Sequence, residues 1–262
     1  MNKKKPKLFL DKICDLNSDY NFYNITLTRL DEILVELNQN TKFAEEFKEH
    51  VILKLVTLIE FTLKELVRTF VDKNSIDISK LFSKNDIAKI KNEFKNVTNG
   101  EIVVMKFNFQ NIEKIGFVFN RLLGINFFES LKEFLSDPAK TGAYDLLALK
   151  SFRNSNSLVS NWEDFQQMFE IRNKIAHNIR QDVKFENKYG FVQVVLVEPQ
   201  IQDWIPKEDD YYRKIIESTE VFLFLCMYIL YLVYAIKMGN PEINQKSKSV
   251  LFFNKKMKEY NT

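Results

Sequence analysis

Cysteine, glycine, proline and histidine are all scarce in this chain of 262 residues, and each shortage removes a class of chemistry. The two cysteines, Cys14 and Cys226, stand at opposite ends of the sequence, which excludes a disulfide scaffold and every CxxC-type metal or redox site. Six glycines are spread so thinly that no two stand closer than Gly116 and Gly124, so neither a GxGxxG nor a GxxxxGK[ST] phosphate loop can be formed. Five prolines and six glycines leave few helix breakers, and the chain is expected to be mostly helix. Two histidines, His50 and His177, bound any imidazole chemistry, and the carboxylates Glu129, Glu133 and Asp137 show no ligand spacing with either; no metal and no cofactor is expected.

Aromatic residues are abundant instead. Twenty-four phenylalanines and ten tyrosines supply enough apolar surface to offset chain entropy, so a folded core is expected rather than disorder. The net charge of +3 is unevenly spread: residues 1–12 carry five lysines against Asp11, residues 237–262 carry six lysines against Glu242 and Glu259, and the body between them is acidic. Two basic ends suit a polyanionic partner through counterion release, and they equally suit solubilising tails. Residues 1–12 lack a sustained apolar core and a small-residue cleavage site, so no secretory signal is expected, and a cytoplasmic location follows as the expectation. Residues 221–236 form an uncharged run, a little short of the ~20 apolar residues that span a bilayer. Tyr228, Tyr231 and Tyr234 recur along it, which favours a buried bundle helix over a membrane anchor, with the tyrosines as core or dimer-face aromatics.

Helical periodicity marks residues 25–37 and, most strongly, residues 41–72, where Ile52, Leu55, Val56, Ile59, Leu63, Leu66, Val67 and Phe70 make one stripe. Glu60 lies at the margin of that stripe. Shorter helices are expected at 85–96, 111–122 and 126–135, with an irregular segment around 98–100 and a stop at Pro138. A polar loop over 151–161 leads into an amphipathic helix from about 162 to 179. Residues 183–185 and 191–197 flank Asn187-Lys188-Tyr189-Gly190 and read as a hairpin; 207–238 is the final helix. The fold class is all-α, a helical bundle with a small β-hairpin, divided into a basic segment 1–24, one domain over 25–239 with an insertion at about 74–161, and a basic tail 240–262.

Only one segment carries concentrated chemistry. His50 stands among Glu45, Glu46, Lys48 and Glu49 and reads as an ordinary surface histidine. His177 closes Arg172-Asn173-Lys174-Ile175-Ala176-His177, on a helix whose apolar stripe is Phe165, Met168, Phe169, Ile175, Ala176 and Ile179. At 100° per residue Arg172 falls roughly 20° from Phe165, inside the apolar face, where an unpaired guanidinium would be costly. Asn173, His177 and Arg180 form a polar strip along the edge of that face, and Asn173 and His177 stand one turn apart. Structural readings remain open for each: Arg172 as a buried ion-pair arginine, His177 as a last-turn histidine favoured by the helix dipole, Asn173 and Asn178 as surface and capping residues.

The string from Arg172 to His177 resembles the Arg-polar-x3-His motif of HEPN domains, helical-bundle ribonucleases of toxin and defence systems. The run Leu58-Ile59-Glu60-Phe61-Thr62-Leu63-Lys64-Glu65-Leu66 is similar to the acidic-residue helix many such domains carry. The resemblance covers roughly residues 41–72 and 160–238. It implies metal-independent RNA cleavage by attack of the ribose 2′-hydroxyl, giving a 2′,3′-cyclic phosphate and a 5′-hydroxyl. His177 would then serve as base or acid, with an imidazole pKa near 6.5. Arg172 would bind the phosphate through its charged fork. Asn173 would orient His177 or bind phosphate oxygen, Glu60 would hold Arg172 as a buried partner, and Lys174 and Arg180 would bind substrate. One motif per chain supplies few proton-transfer groups, so a homodimer with a composite cleft is expected, together with RNA and an antitoxin or other defence-system partner. The alternative is a non-catalytic HEPN-fold module that binds RNA, a nucleotide or a protein partner.

Overall fold

The computed structural model describes residues 21–39, 44–143, 158, 161–178, 183–186, 192–195, 206, 209–241 and 243–261. The chain is predominantly helical. Its elements are α1 (Asn21–Gln39), α2 (Ala44–Lys73), a 3-10 turn (Ile78–Lys80), α3 (Lys84–Glu93), α4 (Asn99–Lys106), α5 (Ile112–Leu123), α6 (Phe127–Ser136), the single turn α7 (Pro138–Thr141), α8 (Trp162–Asn178), β1 (Val183–Glu186), β2 (Val192–Val195), α9 (Asp209–Lys237) and α10 (Lys248–Tyr260). The two strands pair antiparallel with Val183 opposite Val195 and Glu186 opposite Val192.

Helix α2 is the hub, packing against α1, α4, α8 and α9. Its stripe residues Ile52, Leu55, Val56, Ile59, Leu63, Leu66, Val67 and Phe70 are all buried, each side chain of this kind contributing roughly 1.5–3 kcal/mol by leaving water. Helix α1 returns antiparallel beside it: the buried hydroxyls of Thr26 and Thr62 share a hydrogen bond of 2.7 Å, and Lys54 reaches Glu36 at 2.9 Å. Helix α9 runs in the same direction as α2. Lys48 lies 5.7 Å from the Tyr212 ring at one end, and Phe70 meets Tyr231 and Tyr234 edge-on, at 5.5 and 5.4 Å, near the other.

Residues 221–236 of α9 are buried except for the half-buried margins of Tyr231, Tyr234 and Ile236. By length and composition this helix could cross a membrane, yet 78% of its most apolar stretch is covered by the rest of the chain. An all-round apolar helix needs cover on every side, and here α2, α8, α1, α5 and α10 all pack against it. Gly239, at φ +61°, ends the helix in a conformation that a side chain would strain.

Two expectations are corrected. The segment around 98–100 is not irregular: Thr98 and Glu101 form a reciprocal capping box that starts α4, a Thr-x-x-Glu signature legible in the sequence. Asp72 of α2 reinforces it, accepting from the Gly100 backbone N–H at 2.7 Å and from the Thr98 hydroxyl at 2.8 Å. Gly100 is required because a Cβ there would lie 2.5 Å from the Arg68 carbonyl oxygen. The basic C-terminal stretch is likewise not a plain tail, because Lys248–Tyr260 within it forms α10. Ser247 caps α10 by accepting from the Val250 N–H, and Val250 and Phe253 are buried against the neighbouring helices. Lys256 bridges Glu133 of α6 and Glu259 at 2.6 and 2.9 Å. The lysine count concealed an amphipathic helix, with Lys255 and Lys258 exposed and Lys256 tucked against α6.

The described part of the 74–161 segment is integral to the core. Ile102 and Val103 of α4, Ile115, Val118 and Phe119 of α5, and Phe127, Leu131 and Phe134 of α6 belong to the same buried cluster as α2 and α9. Residues 1–20 and most of 144–160 lie outside the described residues.

Candidate functional site

Helix α8 carries the motif because its apolar and polar residues separate by face. Phe165, Met168, Phe169, Ile171 and Ile175 are buried against α2 and α9, and Phe165 stacks obliquely on Phe222 with ring centres 4.9 Å apart. The start of α8 is anchored by Tyr211, whose hydroxyl donates to the Asp164 carbonyl at 3.2 Å. Burial, assisted by the Asp164 charge, pushes the Tyr211 phenol well above its usual range, so it stays a neutral donor with a packing role.

Arg172 and Asn173 are both half-buried at the edge of the packed face, and Lys174 is exposed. The guanidinium Nη1 of Arg172 donates to Asn173 Oδ1 at 3.1 Å. That bond fixes the amide with its oxygen toward Arg172 and leaves the amide nitrogen as a donor. His177 occupies the last turn of α8, one turn beyond Asn173 along the helix. Arg180 lies outside the described residues.

Glu60 is placed differently from the expectation. Its carboxylate is bound by the Lys64 ammonium at 2.6 Å, one turn along α2, and accepts a hydrogen bond from the Gln110 side-chain amide. The expected Glu60–Arg172 pair is not formed. Glu60 stands on the side of α2 that faces the α4–α5 connection, while its side chain is only 15% exposed, so the nearest cations and donors there satisfy it. Lys64 was visible at i+4 spacing; Gln110 was not, because only the tertiary fold brings it fifty residues back to α2.

The arrangement therefore unites Arg172 and Asn173 in one hydrogen-bonded unit on the helix that bears His177, with Glu60 in a separate cluster. A guanidinium carries a permanent charge and a planar fork of donors, chemistry that suits a phosphate. Among the described residues no group of three or more histidine, cysteine, aspartate and glutamate side chains is placed to hold a metal ion.

Compared with protein-family models, with characterised proteins and with solved structures, the chain matches none.

Proposed function

We propose that this protein is a metal-independent endoribonuclease of HEPN type, acting in a toxin or anti-phage defence setting in the cytoplasm. The observation that carries the reading is the half-buried Arg172–Asn173 pair, joined at 3.1 Å on the helix that ends at His177. His177 would remove the proton from the ribose 2′-hydroxyl or return one to the leaving 5′-oxygen. Arg172 would stabilise the charge that builds on the phosphorane, and Asn173 would orient the phosphate or the imidazole. The electron pair of the 2′-oxygen forms the new P–O bond as the P–O5′ bond breaks. A second proton-transfer group comes from a symmetry-related copy, so the active species is a homodimer with both motifs in one cleft. Lys174 and Arg180 would contribute to RNA binding, and an antitoxin or other defence-system partner would restrain the activity.

The test is cleavage of end-labelled RNA in the presence of a chelator, alongside the mass of the protein in solution. His177→Ala is expected to lower the rate roughly 10²–10⁴-fold, and Arg172→Ala by a similar factor. Unchanged cleavage in either variant, or cleavage by a strictly monomeric chain, defeats the assignment.

The engagement of Glu60 by Lys64 and Gln110 favours a second reading. With its acidic residue committed elsewhere, the chain would be a non-catalytic module of the same fold that binds RNA, a nucleotide or a protein partner. It predicts binding that survives in the parent protein with no cleavage at all.

A further inference from the structure

Residues 81–117 enclose a cleft of about 570 Å³ that the chemistry above does not use. Three phenylalanines from separate elements form a row along it. Phe82 follows the 3-10 turn, Phe107 ends α4 and Phe117 lies on α5. The Phe82 and Phe107 ring centres are 5.3 Å apart, and those of Phe107 and Phe117 are 5.6 Å apart, with tilts of 37° and 40°. Phe117 is 40% exposed, and the other two are half-buried. The Arg121 guanidinium lies 5.6 Å from the centre of the Phe117 ring and extends the row with a second planar group.

Lys89, Lys106 and Lys114 line the same cleft, all exposed, and none is ion-paired with another described residue. Two carboxylates accompany them. Asp86 is engaged by the Ser83 hydroxyl at 2.6 Å in the first turn of α3, where the helix dipole offsets its charge; Glu93 is exposed. Cations with no ion-pair partner among the described residues therefore outnumber the carboxylates beside an open aromatic row.

We propose that this cleft binds single-stranded nucleic acid. Unpaired bases stack on the exposed edge of the phenylalanine row, and Lys89, Lys106 and Lys114 neutralise the adjoining phosphates. A duplex hides its base faces and cannot use the rings. An apolar peptide could use the rings but would leave the three ammonium groups without a role. The inference rests on the proposed function only in preferring RNA over DNA as the natural strand; Arg172 and His177 take no part in it.

The experiment is fluorescence anisotropy with the full chain at low salt. The probes are a labelled oligouridylate and an oligothymidylate of about fifteen nucleotides, and an RNA duplex of similar length. The thymidylate has no 2′-hydroxyl and stays intact even if the protein is a nuclease. Both single strands are expected to bind more tightly than the duplex. Phe117→Ala should weaken single-strand binding roughly 5- to 100-fold and Phe117→Trp should restore it. Replacing both Lys106 and Lys114 by Gln should reduce the slope of log affinity against log salt by about 1.4. Leu251→Ala, an exposed apolar change on α10, should alter nothing. Equal binding of the duplex, or full binding by Phe117→Ala, overturns the site; sensitivity to the lysines alone reduces it to bulk charge and also overturns it. Binding without RNA cleavage would leave this site standing and remove the nuclease reading. Cleavage without binding at the cleft would do the reverse.

Discussion

Over residues 221–236, α9 carries no formal charge and exposes only the margins of Tyr231, Tyr234 and Ile236, whereas α8, packed beside it, holds Arg172 and Asn173 half-buried and Lys174 exposed within its last two turns. Both helices contribute to one core and both lean on α2. The difference lies in what each loses by substitution. A fully buried residue of α9 is surrounded by neighbouring helices, so its removal leaves a cavity. A polar residue at the edge of α8 adds little cohesion, because solvent already reaches it and its removal opens no cavity in the core.

The sharpest way to break this comparison is Phe222→Ala in α9. The ring is fully buried and contacts both Phe165 and Phe128, so the expected loss is about 3–5 kcal/mol, read from the urea midpoint. Arg172→Ala and Asn173→Ala should each change stability by about 1 kcal/mol or less, while Arg172→Ala lowers any RNA cleavage roughly 10²–10⁴-fold. If the α8 variants unfold the protein as Phe222→Ala does, the division between core and site is wrong. Gly100→Ala comes next in size. The new methyl would meet the Arg68 backbone, where no side chain can yield, so α4 must shift from α2 at a cost of about 1–3 kcal/mol. Asp72→Ala should cost about 1–2 kcal/mol by releasing the Gly100 N–H and the Thr98 hydroxyl; hydrogen exchange at the start of α4 would report it.

The smallest effect concerns α10. The hydrogen bond from Lys256, followed by its charge and that of Lys255, holds the Glu259 carboxyl below its usual value of 4.5. A lowered carboxyl pKa stabilises the folded state above the unfolded-state value, and that contribution disappears as pH falls through the folded-state value. Acidification from about pH 6 to 3 should therefore loosen α10 before the rest of the bundle, as seen by amide exchange at Val250 and Phe253. Lys256→Met should reduce this pH dependence, leaving the smaller contribution of Lys255, whose ammonium lies 3.5 Å from Glu259. An α10 that opens no earlier than α2 on acidification would show that apolar contacts alone hold it.

The helical stripes were legible because burial on one face forces a period near 3.6, and α2, α5, α6, α8 and α9 fall within a few residues of the spans read from that period. The miss at α4 was a reading of turn chemistry: Thr98-Asn99-Gly100 looks like a break, yet Glu101 completes a cap and Gly100 serves a close helix crossing. The miss at α10 came from counting lysines without following Val250 and Phe253. At the candidate site, Arg172, Asn173 and His177 share a helix that the sequence makes plain. The Glu60–Arg172 pair rests on the resemblance alone, and the sequence holds no information on how α2 is rotated against α8. The cleft of Phe82, Phe107 and Phe117 had no signal in the sequence, because its rings come from three elements that periodicity cannot align.

What the amino-acid order determined by itself was local: scarce glycine and proline make helices, apolar spacing chooses each buried face, and one short string places a guanidinium and an imidazole on the same helix. Rotation and neighbourhood were decided only in three dimensions. Glu60 turned to Lys64 and Gln110, α9 found cover on all sides, and a basic C-terminal stretch docked as a helix. The physical reason is that burial energy fixes which face of a helix is hidden, but long-range packing of side chains fixes what that face and its edges meet.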